Sequence, residues 1–377
     1  MVINALKKGG RERRMLELIK GLVKHEKQFD VCLLSLSPLV EYPYVYDLPI
    51  RFEVIPGNDN QKMSRSFKIR RIIKEFQPDV IHSWDVTSSG YLSIANLFIN
   101  KPVVQCVIYD ASTQSDLAKS IKSRIKLLAP FSKVFVSNSK AGIRAYQPPA
   151  RKSVCIYNGI DLNRFDNLKS PATVEKELFG SENNNRFVVA MVAAFEIRKD
   201  YDTFLQAAIT VCRKDPNAAF LLIGNGDMSD EIKAKTPADL LGKQIYFPGM
   251  RHDIESILQI VNVGVLATNS ANHGEGISNT IVEYMASSKP VIASRGGGTD
   301  ELVQDNMNGF LIDPKSPDQL VDRIERSRSD TSLAAAMGQQ ARRWIVENFE
   351  VTRMTKEYIS LYQRLLDKKP VLEAQPA

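Results

Sequence analysis

The sequence predicts an α/β protein made of two Rossmann-like halves, and three observations support this fold class. Short runs rich in β-branched residues alternate with amphipathic stretches along the whole chain, as in parallel β/α architecture. The polar stretch GSENNNR (residues 180–186) separates a first series of these runs from a second. The length of 377 residues suits two or three domains. We therefore expect one domain over residues 1–167, a second over 168–345, and a last helix with a frayed tail over 346–377 that crosses back onto the first domain.

The first half begins with a short predicted strand, VINAL, and an amphipathic helix. Five apolar residues recur after that strand at the spacing of one helical face, which predicts a helix with a single buried side. Four further runs are typical of buried strands, and the segment SVCIYNGIDLNRF (residues 153–165) ends this half. The apolar residues of the helix are Met15, Leu18, Ile19, Leu22 and Val23; the four runs are FDVCLLSL, DVIHSW, KPVVQCVIY and KVFVSNS.

The second half contains six runs that predict strands, followed by helical patterns. One helix is expected near residues 318–328, and one long helix within residues 333–366. No internal repeat or low-complexity block interrupts this order. The six runs are FVVAMVAAF, AAFLLIGNG, QIYFPG, VGVLAT, PVIAS and GFLID.

The composition fits a folded protein with neither a membrane span nor a disulfide framework. Hydrophobic residues make up 44% of the chain and charged residues 25%, which is ordinary for a protein with a sizeable core. The longest apolar run, FVVAMVAAF, is far shorter than the ~20 residues that a membrane-spanning helix needs. The four cysteines are scattered, the four histidines lack the spacing of a helical metal site, and no secretory leader opens the sequence. We expect reduced thiols and a cytoplasmic location.

The charge is unevenly distributed between the two halves. Residues 1–165 contain 26 Lys and Arg against 14 Asp and Glu, a net charge of +12. The rest of the chain contains 24 against 29, a net charge of −5. This asymmetry predicts an anionic partner for the first half, such as nucleic acid, anionic lipid headgroups or a phosphorylated acceptor. The alternative interpretation is that part of the charge only solvates the surface.

Two glutamates stand eight positions apart directly after the predicted strand VGVLAT. Ser278 or Asn279 is expected to cap a helix that ends near residue 288, before a proline. Glu275 would then lie in a glycine-flanked loop, and Glu283 in the second turn of the helix. Amides at the positive end of a helix bind anions and carboxylates bind hydroxyl groups, so the arrangement suits a nucleotide-sugar; the alternative is that both glutamates are only solvated charges. The amides belong to Gly276, Ile277, Ser278, Asn279 and Thr280.

The segment EGISNTIVEYMASSKPVIAS resembles the Glu-x₇-Glu motif of the family 4 retaining glycosyltransferases. The resemblance covers nearly the whole chain, because further segments match family motifs in the same order. It implies the GT-B fold, in which two Rossmann-like domains face a central cleft. The further segments are KKGGRERR, VSNSKAG, CIYNGIDLNRF, LLIGNGD, FPGMRHDI and GGGTDELVQDNMNGFLI.

The resemblance also implies roles for individual residues. Glu283 would bind the ribose hydroxyls of the donor, and Glu275 with the amides after it would hold the transferred sugar. Lys199 matches the lysine that binds the diphosphate in the family. Arg251 lies at a position that usually lines the binding site of the nucleoside base. Gly10 would let the first helix approach the diphosphate or the acceptor.

The chain departs from the family pattern in three places. The family commonly has an arginine five residues before the lysine, where this chain has Ala194; the neighbouring Arg198 is the candidate replacement. A histidine is frequent at the end of the strand KPVVQCVIY, where residues 108–110 are Ile, Tyr and Asp, so Asp110 becomes the substitute candidate for acceptor-side catalysis. The first strand is shorter than usual, which predicts a missing or mis-assigned N-terminus.

Two other motifs have a functional and a structural interpretation. Asp200 and Asp202 in KDYDTF resemble the metal-binding pair of the other glycosyltransferase fold, but they directly precede a predicted helix. We therefore expect Asp200 to be an N-cap and Asp202 a first-turn partner of the helix dipole. His82 and Trp84 follow a predicted strand, and either line a ligand cleft or pack in the core.

The predicted function is transfer of a sugar from a nucleotide-sugar to a hydroxyl acceptor with retention of configuration. Lys199 and a helix N-terminus would stabilise the departing diphosphate in place of a metal, so neither a metal nor a cofactor is expected. Expected partners are the donor and a glycan or lipid-linked acceptor, with an anionic membrane surface at the inner face of the cell membrane as a further candidate and no nucleic acid. The alternatives are a GT-B-fold epimerase or hydrolase of nucleotide-sugars, and a non-catalytic binding protein.

Overall fold

Two parallel β-sheets organise the chain, one in each of two structural units. In this computed structural model the first unit comprises Met1–Gly159 and Val351–Ala377, and the second comprises Ile160–Glu350. In this division the second unit includes residues 160–167, which were predicted to lie in the first domain. It also includes residues 346–350, which were predicted to lie in the crossing helix. The structure describes residues 1–7, 9–24, 28–55, 62–107, 116–183, 185–269 and 274–370.

Seven parallel strands form the sheet of the first unit. Its elements are β1 (Val2–Ile3), α1 (Gly10–Val23), β2 (Cys32–Ser35), β3 (Arg51–Val54), α2 (Lys62–Phe76), β4 (Ile81–Ser83), α3 (Val86–Ala95), β5 (Val103–Cys106), α4 (Asp116–Leu128), β6 (Val134–Ser137), α5 (Lys140–Tyr146) and β7 (Ser153–Cys155). The strand order is β3-β2-β1-β4-β5-β6-β7. The sequence analysis predicted five of these strands and missed β3 and β7. Both are outer strands whose residues are mostly half-buried, so neither produces an apolar run.

The second unit contains a six-stranded parallel sheet, and all six strands coincide with predicted runs. Its elements are α6 (Pro171–Phe179), β8 (Phe187–Val192), α7 (Tyr201–Lys214), β9 (Ala218–Ile223), α8 (Ser229–Ala234), β10 (Ile245–Gly249), α9 (Ile254–Ile260), β11 (Val263–Leu266), α10 (Asn279–Ala286), β12 (Val291–Ser294), α11 (Thr299–Leu302), β13 (Phe310–Ile312), α12 (Pro317–Ser329) and α13 (Thr331–Asn348). The order β10-β9-β8-β11-β12-β13 reverses direction between β8 and β11. Open α/β sheets bind ligands at the carboxyl ends of the strands beside such a reversal.

The prediction of one long helix within residues 333–366 is wrong. The chain forms two helices there, α13 and α14 (Val351–Leu366). The break falls where the Ile160 N–H donates to the Phe349 carbonyl at 2.7 Å and Ile160 forms a parallel bridge with Glu350. The Phe349 N–H still closes the last turn of α13 by donating to the Ile345 carbonyl at 2.8 Å, but its own carbonyl is taken by Ile160, so α13 ends there.

The helices of the first unit cover both faces of its sheet. On one face α1 packs against α14, and the two helices bury Met15, Ile19 and Leu361. On the other face α2 and α3 pack over β1, β2, β4 and β5, while α4 and α5 cover Phe135 of β6. The register of β5 with β6 places Phe135 on the same side as Val103, so α2 to α5 share one face. None of the described helices is long and apolar enough to cross a membrane.

His82 and Trp84 pack in the core under α14. His82 is 2% exposed, and its Nδ1 lies 2.7 Å from the Tyr362 hydroxyl and its Nε2 2.9 Å from Cys106 Sγ. Its ring stacks on Trp84 with the ring centres 4.6 Å apart. Burial lowers the pKa of His82 well below its usual value, since the charged imidazolium would lose its hydration. Of the two interpretations, the structural one is therefore confirmed for this pair.

We expect Gly21→Ala to lower the free energy of unfolding by about 1–3 kcal/mol, because α1 and α14 approach closely at this glycine. An added Cβ would lie 2.8 Å from Thr355 Cγ2 and closer still to its hydroxyl. Urea unfolding measures the change. Thr355→Ala removes the obstructing atoms, so the double variant should recover most of the loss.

The matched control is Gly90→Ala in α3, where an added Cβ meets open space. That substitution should be neutral or slightly stabilising, because alanine is the better helix former. Equal effects of the two glycine substitutions would show that α1 and α14 do not approach each other as described.

Candidate functional site

The loops after β8 and β11 are joined beside the strand reversal of the second sheet. Lys199 and Thr268 form an antiparallel bridge. On either side of it the Asp200 N–H donates to the Ala267 carbonyl at 3.1 Å, and the Asn269 N–H donates to the Arg198 carbonyl at 3.0 Å. The backbone of Lys199 is therefore fixed at the carboxyl end of β11.

Lys199, which is buried, and Glu275, which is largely buried, form an ion pair. The Lys199 ammonium donates to Glu275 Oε1, and the two side chains are only 10% and 14% exposed. A buried ammonium needs a charged partner, because desolvation without one costs several kcal/mol. The sequence analysis assigned the two residues to different parts of one ligand. The structure brings them into direct contact.

The glycine-rich loop after β12 holds the backbone of Glu275. The Gly298 N–H donates to the Glu275 carbonyl at 2.7 Å. Gly297 has φ +63°, and a Cβ there would lie 2.8 Å from the Glu275 nitrogen. A Cβ on Gly298 would lie 2.5 Å from the Gly276 carbonyl oxygen. Sequence reasoning gave these glycines no role at the site, although three successive glycines after a strand signal a close backbone approach.

The N-terminus of α10 follows this loop. Ser278 is the N-cap, as one of the two predicted alternatives stated, and its hydroxyl accepts from the Ile281 N–H at 3.5 Å. The Thr280 hydroxyl donates to the Val192 carbonyl at 3.0 Å and so ties the first turn to the end of β8. The amides of this first turn carry the positive end of the helix dipole. Gly276, Ile277 and Asn279 complete this segment of backbone.

Glu283 lies in the second turn of α10 and is 6% exposed, which contradicts the solvated interpretation. Its Oε1 accepts from Arg164 Nη2 at 3.1 Å, and the same nitrogen donates to Glu255 of α9. Arg164 lies in a short 3₁₀ turn, Leu162–Phe165, for which Asp161 is the N-cap. Sequence reasoning missed Arg164 and Glu255. The one signal in the sequence that could have indicated this site was the position of Arg164 within the segment CIYNGIDLNRF.

Arg251 belongs to a cluster of four charged side chains. Its guanidinium donates to Asp253 at 2.7 and 2.8 Å and to Glu177 at 2.8 Å. Lys169 Nζ lies 2.9 Å from a carboxylate oxygen of each of the same two residues. The hydrogen bond from Arg251 lowers the pKa of Asp253, and that from Lys169 lowers the pKa of Glu177. The role of Arg251 beside a nucleoside base stays a prediction.

The remaining predicted site residues are Arg198, Gly10 and Asp110. Arg198 is partly exposed, and its Nε donates to Glu196 at 2.5 Å. Gly10 is the first residue of α1 in the other unit, directly after the N-cap Gly9. Asp110 lies outside the described residues. The structure thus brings Lys199 and Glu275 together and does not show Arg198 joining them.

Asp200 and Asp202 have the structural roles that were predicted for them. The Asp200 carboxylate accepts from the Thr203 N–H at 3.1 Å and from its hydroxyl at 2.7 Å, so it caps α7. Asp202 in the first turn accepts from Lys235 Nζ at 2.8 Å. In the described part of the chain, no group of three or more His, Cys, Asp or Glu side chains is placed to hold a metal ion.

The arrangement has the chemistry of a site for an anion that also carries hydroxyl groups. The lysine and the amides at the start of α10 supply positive charge, and the carboxylates of Glu275 and Glu283 supply hydrogen-bond acceptors. The lysine follows β8, and the amides and both glutamates follow β11.

Two family models match the chain. The model described as Glycosyl transferases group 1 matches residues 174–344, which include Lys199, Glu275 and Glu283. The model described as Glycosyltransferase Family 4 matches residues 8–164. Together the two matches span most of the chain.

Curated relatives and solved structures agree with these models. The chain is 25% identical over 355 residues to the UDP-Gal:alpha-D-GlcNAc-diphosphoundecaprenol alpha-1,3-galactosyltransferase of Escherichia coli, with 89% of each chain covered. It is 23% identical over 344 residues to the putative glycosyltransferase EpsD of Bacillus subtilis, covering 86% of this chain and 87% of that one. Its fold resembles that of Anabaena HepE in complex with UDP-glucose, with a TM-score of 0.80 at 20% identity over 97% of this chain and 99% of HepE. The chain therefore belongs to the family 4 glycosyltransferases, with a second unit of the group 1 type, and has the GT-B fold.

Proposed function

We propose that this glycosyltransferase moves a sugar from a nucleotide-sugar to a hydroxyl of a glycan or a lipid-linked intermediate, with retention of configuration and without a divalent metal. The observation that carries the proposal is the buried Lys199–Glu275 pair beside the N-terminus of α10, with the buried Glu283 one turn further along. These groups match the charge and the hydroxyl groups of a sugar diphosphate.

The relatives support the classes of donor and acceptor. The Escherichia coli relative is named for UDP-galactose as donor and for a diphosphoundecaprenol-linked sugar as acceptor. HepE of Anabaena has been solved with UDP and with UDP-glucose. By this analogy we propose a nucleotide-sugar as donor and a glycan or lipid-linked sugar as acceptor.

The proposed mechanism stabilises charge on the departing diphosphate. As the glycosidic bond of the donor breaks, negative charge grows on the phosphate and positive charge on the sugar. Lys199 and the first-turn amides of α10 would face the phosphate, and the Glu275 loop would hold the sugar. Glu283, already held by Arg164 at 3.1 Å, would bind the ribose hydroxyls. Retention follows if the acceptor attacks the face from which the phosphate leaves, with that phosphate as the base.

Metal independence follows from the same groups. A metal in a glycosyltransferase neutralises the leaving diphosphate, and in this proposal a fixed lysine and a helix N-terminus supply that charge. Asp200 and Asp202, the pair with a metal-site pattern, are occupied by Thr203 and Lys235.

The test measures donor turnover with and without an acceptor. A thermal-shift screen first identifies the donor, since a ligand at ~100 times its Kd adds about 2.7 kcal/mol to stability. We then expect transfer to a lipid-linked or glycan acceptor, an unchanged anomeric configuration by NMR, and full activity in the presence of a chelator. Release of free sugar or an epimer without acceptor would instead identify a hydrolase or epimerase. Binding without turnover would identify a non-catalytic binding protein, the alternative that Ala194 suggests.

We expect Lys199→Ala to lower kcat on the order of 10²–10³-fold and to raise the donor KM less. A fixed cation beside the leaving phosphate acts more on the transition state than on the ground state. Steady-state kinetics measures both constants, and the thermal midpoint checks the fold, because Glu275 loses its buried partner in this variant.

The control for this prediction is Arg198→Ala, which removes the adjacent cation that pairs with Glu196. Its kcat should stay near that of the parent protein. A loss similar to that of Lys199→Ala would show that Arg198 replaces the family arginine absent at Ala194. A near-normal kcat for Lys199→Ala would mean that the diphosphate binds elsewhere.

We expect Gly297→Ala to weaken donor binding at least about tenfold, because its Cβ would push against the Glu275 backbone. The control is Gly242→Ala. Gly242 has a similar φ of +72°, but a Cβ there meets open space. Both variants bear the cost of a left-handed alanine, about 1–2 kcal/mol, so a difference in donor Kd by calorimetry isolates the contact with Glu275. Equal donor affinities of the two variants would contradict the assignment of this loop.

A further inference from the structure

Three neighbouring helices form one outer surface of the first unit. α2 packs against α3, and α3 packs against α4, all on the same face of the sheet. We call this surface the docking surface. It consists of the exposed sides of α2, α3 and α4 and of the turns that follow α3 and α4 (residues 62–76, 86–100 and 116–131).

The centre of the docking surface carries no charge. No Asp, Glu, Lys or Arg occurs from Val86 to Asn100, which includes the whole of α3 and the turn after it. The large side chains that this segment exposes are apolar: Ile94 and Leu97 are each 45% exposed, and Phe98 is 83% exposed.

Phe98 is held outward by a strained backbone. Its φ is +65°, a conformation that is rare and costly for a bulky side chain. Arg70 of α2 fixes the turn, because its Nη1 donates to the Leu97 carbonyl at 2.6 Å and to the Ala95 carbonyl at 3.3 Å. Strain that presents an aromatic ring to solvent contributes nothing to the core, so it points to a function of the exposed ring.

The flanking helices are basic and also expose apolar side chains. α2 contains six Lys and Arg against one Glu, and α4 contains four against one Asp. Met63 and Phe67 are 56% and 62% exposed one turn apart on α2. Leu127 and Phe131, at the end of α4 and just after it, are 72% and 48% exposed. The exposed basic residues on these two helices include Lys68, Arg71, Lys74, Lys119, Arg124 and Lys126.

We propose that the docking surface binds the face of an anionic phospholipid bilayer. The rings and aliphatic chains of its apolar residues enter the headgroup region, while the lysines and arginines of α2 and α4 contact the anionic headgroups. A bilayer is the occupant because it combines the two features that the surface complements: an apolar layer under the uncharged α3 and a negative charge on both sides of it. A soluble polyanion would leave Phe98 and its apolar neighbours without a partner.

This inference goes beyond the proposed transfer reaction and does not depend on it. Lys199, Glu275 and Glu283 lie in the other unit, so lipid binding can be measured without donor, acceptor or turnover. Failure of one proposal therefore leaves the other standing.

The experiment compares binding of the full chain to two kinds of vesicle by co-sedimentation. One kind is pure phosphatidylcholine, and the other contains one part phosphatidylglycerol to two parts phosphatidylcholine. We expect binding to the anionic vesicles only, weakening as salt is added because surface charges are screened. Equal binding to both vesicles, or binding to neither, would overturn the proposal.

Two variants locate the surface. The first combines Lys68→Gln, Arg71→Gln and Lys74→Gln, which should weaken binding on the order of 100-fold, at about fivefold for each charge. The second is Phe98→Asn, which should weaken it on the order of tenfold by removing the ring. Asparagine tolerates a positive φ, so the turn and the thermal midpoint should be retained.

The matched control removes three exposed lysines of the second unit by Lys176→Gln, Lys214→Gln and Lys243→Gln. It should keep the affinity of the parent protein. An equal loss in the control would mean that net charge alone drives binding, and unchanged binding of both surface variants would place the contact elsewhere. A change in oligomeric state of Phe98→Asn in the absence of vesicles would assign the surface to a second copy of the chain. Each of these three outcomes overturns the proposal.

Discussion

The largely buried ion pair between Lys199 and Glu275 is the constraint on which the candidate site of the second unit depends. A cation and a carboxylate that are 10% and 14% exposed must be held in place from both sides, since either one alone would be a costly buried charge. The loop after β8 is joined to the end of β11 by backbone hydrogen bonds, and the glycines after β12 hold the Glu275 backbone. Three strand ends therefore converge on one pair, and that pair is where the strand order of the sheet reverses.

A second cation, Arg164, holds glutamates in place in the same way. Glu283 and Glu255 share the guanidinium of Arg164, so the carboxylate proposed to bind ribose is oriented before any ligand arrives. Both cations thus hold a nearby glutamate in place. A site that is preorganised in this way loses little further order when a ligand binds, which favours affinity and also favours stabilisation of a charged transition state.

The sequence was sufficient to predict elements that produce a strong periodic or apolar pattern, namely all six strands of the second unit and the helix α10, with its cap narrowed to Ser278 or Asn279. It was not sufficient where the cause of the structure is tertiary. The edge strands β3 and β7 lack an apolar run, and the break between α13 and α14 arises from pairing with Ile160, which is distant in the chain. Arg164 and Lys199 each acquire their partners across 76 or more residues, a relation that spacing in one sequence does not reveal.

The two units use charge on different scales. The proposed donor site lies in a part of the chain with net charge −5 and has one lysine and one arginine held against glutamates, so in this proposal local geometry and not the overall field provides the attraction. In the first half the net charge of +12 includes many exposed side chains on α2 and α4. Salt screens exposed charges over a distance of about 10 Å at 0.1 M but affects buried pairs much less. Raising the ionic strength should therefore release the docking surface from lipid at concentrations that leave the affinity for donor nearly unchanged.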